Sequence, residues 1–292
     1  MATLLDFRRR IRSVKNTQQL TRAMKFVAAA KLRRAQDRVY AARPYARQML
    51  SVLRSAMTRI ENPTHPLMAR RPEERVLVLV VTGDKGLCGA FNTNVLRRAV
   101  GFFREHQAES LSVVSVGKKG RDALRKRTIS LVAEYLNVSM HLEFARVKEI
   151  ADRVIQMYTQ NEVDAVYAIY NEFKNVLAQR LLVERLLPID PEELQGEQGT
   201  VEGSVAVDYI YEQPPAEIFD RLLPRHVTTQ VFRVLLESAA AEQAARMTAM
   251  ESATNNAAEL IDQLTLHMNK VRQASITKEI IEVVSGAASA TS

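Results

Sequence analysis

RRRIRSVKNTQQLTRAMKFVAAAKLRRAQ, residues 8–36, contains neither Gly nor Pro. Around it, apolar side chains recur at Leu4, Phe7, Ile11, Val14, Leu20, Met24, Val27, Leu32, Ala35 and Val39. Most steps are three or four residues and these average about 3.5, the period of a helix that lays one stripe against a second helix. The pattern predicts a single helix over residues 3 to about 60, interrupted only at Pro44. A Pro lacks an N–H and crowds the preceding turn, so a bend or break is expected there. Glu61-Asn62-Pro63-Thr64-His65-Pro66 is expected to end the element.

A helix of this length must bury its stripe, and the other end of the chain offers a counterpart. Between Val227 and Val284 there is no Gly or Pro, and a second stripe runs Val231, Val234, Leu235, Ala239, Ala245, Leu260, Ile261, Leu264, Met268, Val271, Ile280, Ile281, Val284. Pro224 should break or kink its entry, and Gly286 is a natural stop. At 1.5 Å per residue each terminal helix would extend roughly 80–90 Å. An antiparallel coiled coil of the two ends is the favoured arrangement, with a parallel coil between two copies as the alternative. The last stretch, ASITKEIIEVVSGAASA (274–290), is apolar on more than one face. It either packs on its companion helix or is buried in a partner.

The middle of the chain reads differently. RVLVLVVTGD (75–84), LSVVSVG (111–117) and VDAVYAIYNEF (163–173) are apolar runs closed by turn residues, and helical patterns lie at about 91–106, 117–127 and 142–160. Alternating strands and helices predict a Rossmann-like α/β domain with a mostly parallel sheet. LAQRLLVERLLPI (177–189) and GSVAVDYIYE (203–212) read as late strands, and DPEELQGEQGTVEG (190–203) as an acidic surface loop. The organisation is therefore a coiled-coil helix at 1–60, an α/β domain at 75–212, and a second coiled-coil helix at 214–292 that pairs with the first.

Composition narrows the chemistry. A single Cys, Cys88, excludes an internal disulfide framework, and five scattered His residues show no metal-ligand spacing. GDKGLCG (83–89) lacks both nucleotide-binding glycine patterns. Gly86 and Gly89 are read as a structural turn allowing close backbone packing. No cofactor and no catalytic constellation are expected. No run of 18 apolar residues is present, so no membrane span is expected. The Arg-rich amphipathic start continues far beyond any cleavage point and is read as mature structure.

Net charge is +8, with fifteen basic residues against two acidic ones up to residue 60. Such a segment calls for an acidic partner. A nucleic-acid-binding coiled coil is the main rival, but the charges interleave with an apolar seam and no aromatic stacking platform accompanies them.

Four segments, in order, carry a family resemblance: residues 8–36, VTGDKGLCGAFN (81–92), DYIYEQPPAEIFDRLLPRHV (208–227), and SAAAEQAARMTAMESATNNAAELIDQLTLHMNKVRQASITKEIIEVVSGAASA (238–290). Together they resemble the gamma subunit of F-type ATP synthases. That resemblance implies a central rotating stalk, non-catalytic itself, coupling proton-driven rotation to ATP synthesis or hydrolysis at beta-subunit sites. It implies alpha and beta subunits of the catalytic hexamer, an epsilon subunit and the c-ring as partners, with no nucleic acid and no direct membrane span. The expected location is peripheral, on the cytoplasmic face of a bacterial cell membrane. By the same resemblance, Met24, Lys25, Lys270, Arg272, Gln273 and Thr277 contact a beta subunit or transmit torque. Ile276, Ile280, Ile281, Val283 and Val284 form the shaft tip in the alpha/beta bearing. The bland reading makes Met24 a seam residue, Lys25 a solvated charge, and Arg272 and Gln273 an ordinary polar face.

Overall fold

The computed structural model describes residues 3–60, 64–106, 108, 110–127, 129–138, 142–191, 194 and 213–290, with side chains given up to Ser285. The expected strand at 203–212, most of the loop at 190–203 and the helix stop at 61–63 lie outside the described residues. In chain order the elements are helix α1 (Leu4–Met57), a 3-10 turn (Pro66–Met68), β1 (Arg75–Val81), α2 (Phe91–Glu105), β2 (Ser110–Val116), α3 (Lys118–Arg125), β3 (Ser130–Tyr135), α4 (Phe144–Thr159), β4 (Ala165–Phe173), β5 (Gln179–Leu187) and α5 (Pro215–Ala290). They group into two compact units. One comprises the residues up to Ala28 with those from Arg246 onward, and the other comprises Ala29–Ala245.

In the second unit a five-stranded sheet has the order β3-β2-β1-β4-β5. β1 pairs in parallel with β2 and with β4, and β2 in parallel with β3. β5 returns antiparallel to β4. β1 is buried on both faces, which is why its sequence is an unbroken apolar run. Val76, Val78 and Val80 join Val95, Ala99 and Phe102 of α2 on one face. Leu77, Leu79 and Val81 join Val147, Ile150 and Val154 of α4 on the other. Leu53 of α1 and Phe219, Leu223 and Val231 of α5 belong to that second core too.

Several expectations change. Pro44 neither breaks nor ends α1. It sits on the exposed side of the helix, as does Tyr40, whose carbonyl loses its intrahelical donor, so water can replace the missing bond. Pro224 is likewise inside α5. α5 also runs through Gly286 to Ala290. A helical Gly costs only about 1 kcal/mol relative to Ala, and the following Ala-Ala-Ser-Ala run favours helix. β3 was not expected. As an edge strand with an exposed first residue and mostly half-buried successors, it needs no long apolar run.

One polar cluster lies where α5 meets β4 and β5. Tyr170 donates to Glu184 at 2.7 Å, and Arg233 pairs with Glu184, hydrogen-bonds the Tyr170 hydroxyl at 3.2 Å and stands 3.9 Å from Glu237. Glu172 and Glu184 of the sheet and Arg43 of α1 also act on Glu237. Burial holds the Glu237 carboxyl above its ordinary range, partly opposed by Arg233, and its Oε2 has no hydrogen-bond partner among the described residues. A carboxyl raised in the folded state favours folding while protonated and loses that contribution as pH rises through its folded value. The Glu237→Gln variant should therefore gain stability relative to the parent between about pH 4.5, where an ordinary Glu titrates, and pH 7.5. Urea unfolding at the two pH values checks this; an equal offset at both contradicts it.

Candidate partner-contact surface

In the first unit α1 and α5 run antiparallel. The Phe7 ring lies 5.0 Å from that of His267, Thr21 shares a hydroxyl hydrogen bond of 2.8 Å with Thr254, and Lys25 Nζ sits 2.7 Å from Glu251 Oε1. Numbers that rise along α1 meet numbers that fall along α5.

The seam obeys a strict step of seven. Phe7, Thr21 and Ala28 are buried and Val14 is half-buried, while Leu4, Ile11, Gln18 and Lys25 form the second, half-buried row. Opposite them Met250 and Ala257 are buried, with Thr254, Ile261, Leu264, Met268 and Val271 half-buried. The pattern is that of a coiled coil, with knobs at two positions per seven. The frame corrects the expected stripe. Leu20 and Val27 were placed on it, yet they are 62% and 55% exposed, and Leu260 of α5 is also exposed. Gln18, Thr21 and Lys25 take the inward positions instead. Phe26, 62% exposed, joins Leu20 and Val27 on the outer surface as apolar groups that helical periodicity does not reveal.

Lys25 is thus half-buried and ion-paired inside its own unit, with a third of its side chain still exposed. Met24 is half-buried beside it. Lys270, Arg272 and Gln273 are exposed on one short stretch of α5. Thr277 is exposed too, and its hydroxyl donates to the Gln273 carbonyl at 2.9 Å. Ile276, Ile280, Ile281, Val283 and Val284 are 49–71% exposed. With Phe7 opposite His267 and α1 starting at Leu4, the last turns of α5 extend past the first turn of α1. The tip therefore does not pack on its companion helix.

Of the turn glycines, Gly89 has φ +57° and needs its freedom, whereas a side chain at Gly86 would come no closer than 3.8 Å to its nearest neighbour, Lys119. The tight positions are others. A Cβ at Gly117, which has φ +94°, would lie 2.1 Å from the Thr82 carbonyl oxygen. A Cβ at Gly83 would meet the Glu242 carboxylate at 2.9 Å. Neither glycine pattern nor spacing marks these two, because their constraint comes from residues distant in sequence.

Among the described residues no group of His, Cys, Asp or Glu could hold a metal ion, and no helix is long and apolar enough to cross a membrane.

A family model described as ATP synthase matches residues 3–290. A protein of Solibacter usitatus named ATP synthase gamma chain is 52% identical over 295 residues, spanning 99% of this chain and 100% of its own. The chain belongs to the ATP synthase gamma-chain family. A second gamma chain, from Pelotomaculum thermopropionicum, is 46% identical over 288 residues and 99% of both chains. Among solved structures, a chain of the Euglena gracilis mitochondrial ATP synthase OSCP/F1/c-ring assembly in rotational state 3 superposes with a TM-score of 0.67 at 21% identity, over 98% of this chain and 94% of that one. A chain from the rotor of the same enzyme in rotational state 1 gives 0.63 at 20%, over 94% and 98%. At these identities the likeness bears on the fold. It extends the gamma-chain fold, long terminal helices about a mixed α/β sheet, to this sequence.

Two outcomes follow for this gamma-chain family member. The Gly117→Ala variant should lose cooperative thermal unfolding, while Gly86→Ala melts within a degree or two of the parent. A double-mutant cycle on Lys25 and Glu251 should return a coupling under about 1 kcal/mol, since both side chains are partly solvated. A larger coupling would show that the pair holds the seam together.

Proposed function

We propose that this chain is the central rotating shaft of a proton-translocating F-type ATP synthase. It couples ion-driven rotation to ATP synthesis or hydrolysis and holds no catalytic residue of its own. The observation that carries this reading is the bare tip: five large apolar side chains from Ile276 to Val284, exposed on a stretch that no other helix faces among the described residues. A chain end in water is ordinarily polar and frayed. An apolar one is stable inside a protein sleeve, and the sleeve proposed is the ring of alpha and beta subunits.

Below the tip, Lys270, Arg272 and Gln273 offer donors to a beta-subunit loop. The Arg fork suits a carboxylate in particular. Met24, Lys25 and the outer patch of Leu20, Phe26 and Val27 supply a second contact. Unequal contact with three beta subunits is what the task demands, because a partner that meets every state alike shifts no equilibrium. The α/β unit would face the epsilon subunit and the c-ring, at the cytoplasmic face of a bacterial membrane to which the chain is peripheral. Nucleic acid is not among the proposed partners.

Co-expression with cognate alpha and beta subunits tests the reading. The full chain should co-purify with them in one complex. A chain truncated before Ser275 should keep a folded α/β unit by circular dichroism yet lose at least half of the rotation-coupled ATPase. Failure of the full chain to assemble would overturn the proposal. Intact coupling after truncation would remove the tip from it.

A further inference from the structure

In open α/β sheets, ligands settle outside the carboxyl ends of the strands, at the point where successive connections leave in opposite directions. Here that point lies between β1 and β4, since β2 is on one side of β1 and β4 is on the other. The turn Thr82–Gly89 leaves β1 at this place. Something fills the crevice: Ala241 of α5 packs with Cys88 and Phe91, flanked by Phe173 at the end of β4 and by Ala245. The next residue on α5, Glu242, is only 4% exposed. Its carboxylate lies flat against Gly83, with Cδ, Oε1 and Oε2 at 2.9, 3.0 and 3.1 Å from where a Cβ would stand.

A carboxylate does not remain buried against bare backbone unless donors face it. The turn is built to provide them. Leu87 and Gly89 both have left-handed backbone, at φ 61° and 57°, and alternation of that kind turns successive N–H groups inward around an anion. The acid of the turn itself, Asp84, is engaged by other backbone donors. Asp84 Oδ1 accepts from the backbone N–H groups of Lys118 and Asn137 at 3.0 and 3.1 Å. Asn92 accepts from the Gly83 N–H at 2.8 Å and reaches the Lys85 carbonyl at 3.4 Å, bracing the turn from behind.

We propose that the 82–89 turn is a carboxylate-binding site whose resident ligand is the chain's own Glu242, and that Glu242 positions α5 against the sheet. Where a relative of this fold would hold a phosphate or a cofactor, this chain holds its own helix. Gly83 is glycine because the guest's carboxylate occupies the space of a side chain. The proposal concerns the isolated chain and stands whether or not the rotary reading does.

Chemical rescue tests it on the full-length protein. The Glu242→Ala variant should unfold several degrees below the parent. Sodium acetate should restore most of that loss saturably, beyond any effect of sodium chloride at equal ionic strength. The parent, and Glu242→Ala combined with Gly83→Ala, should show no such acetate-specific gain, the second because the new Cβ fills the vacated site. Gly83→Ala should be strongly destabilising when Glu242 is present and nearly silent when it is absent. Should Glu242→Ala not fold in plain buffer, acetate in the refolding mixture is expected to restore a cooperative transition. A variant as stable as the parent, a loss that acetate fails to relieve, or additive effects of the two substitutions would each overturn the proposal.

Discussion

The step of seven along α1 is the constraint on which the remaining arrangement rests. Once Phe7 faces α5, the same frame requires positions 14, 21 and 28 to face inward, whatever residues occupy them. Thr21 and Lys25 are held in the seam by geometry and are satisfied there by Thr254 and Glu251. The apolar side chains that fall outside the frame, Leu20, Phe26 and Val27, are pushed to the surface. A seam interrupted by Gln18, Thr21 and Lys25 is a weaker coil than a wholly apolar one. It would suit a segment that, on the proposed reading, exchanges some burial within the chain for contact with neighbours.

In the second unit the same frame continues through Leu32, Val39, Met49, Leu53 and Ala56, all buried. Here α1 and α5 close one face of the sheet rather than only facing each other, and Leu53 shares its core with β1, α4 and α5. Arg233 adds a polar tie on the same side, reaching from α5 to Tyr170 and Glu184 on two strands. Large apolar area and a few well-placed charges thus serve the same end. They fix α1 and α5 against the sheet.

Much of this was legible in residues alone. β1 announces itself because a strand buried on both faces reads as a near-continuous apolar run, and the terminal helices do so because few breakers interrupt their periods. The failures have physical causes. Apolar character does not mark the inward face at Leu20 and Val27, where the seven-residue frame and the apolar pattern part company. Pro44 and Gly286 are local breakers by type, yet long helices tolerate one exposed defect at modest cost. β3 is half-covered and so lacks a strong pattern. For the contact surface, Lys270, Arg272 and Gln273 are exposed, and the tip residues are bare. Glu242 was invisible because its meaning depends on Gly83, 159 positions earlier, and burial of an acid is not written in any local motif.

The overhang of α5 has a mechanical consequence. Resistance to bending and twisting rises steeply with the thickness of a beam, and a pair of helices in contact is thicker than one. Down to the level of Phe7 and His267 the segment is two-ply, and from about Val271 onward it is one-ply. A torque applied along it would therefore not be absorbed evenly. The single-ply end would flex first and recoil first, acting as a soft spring set in series with a stiffer one.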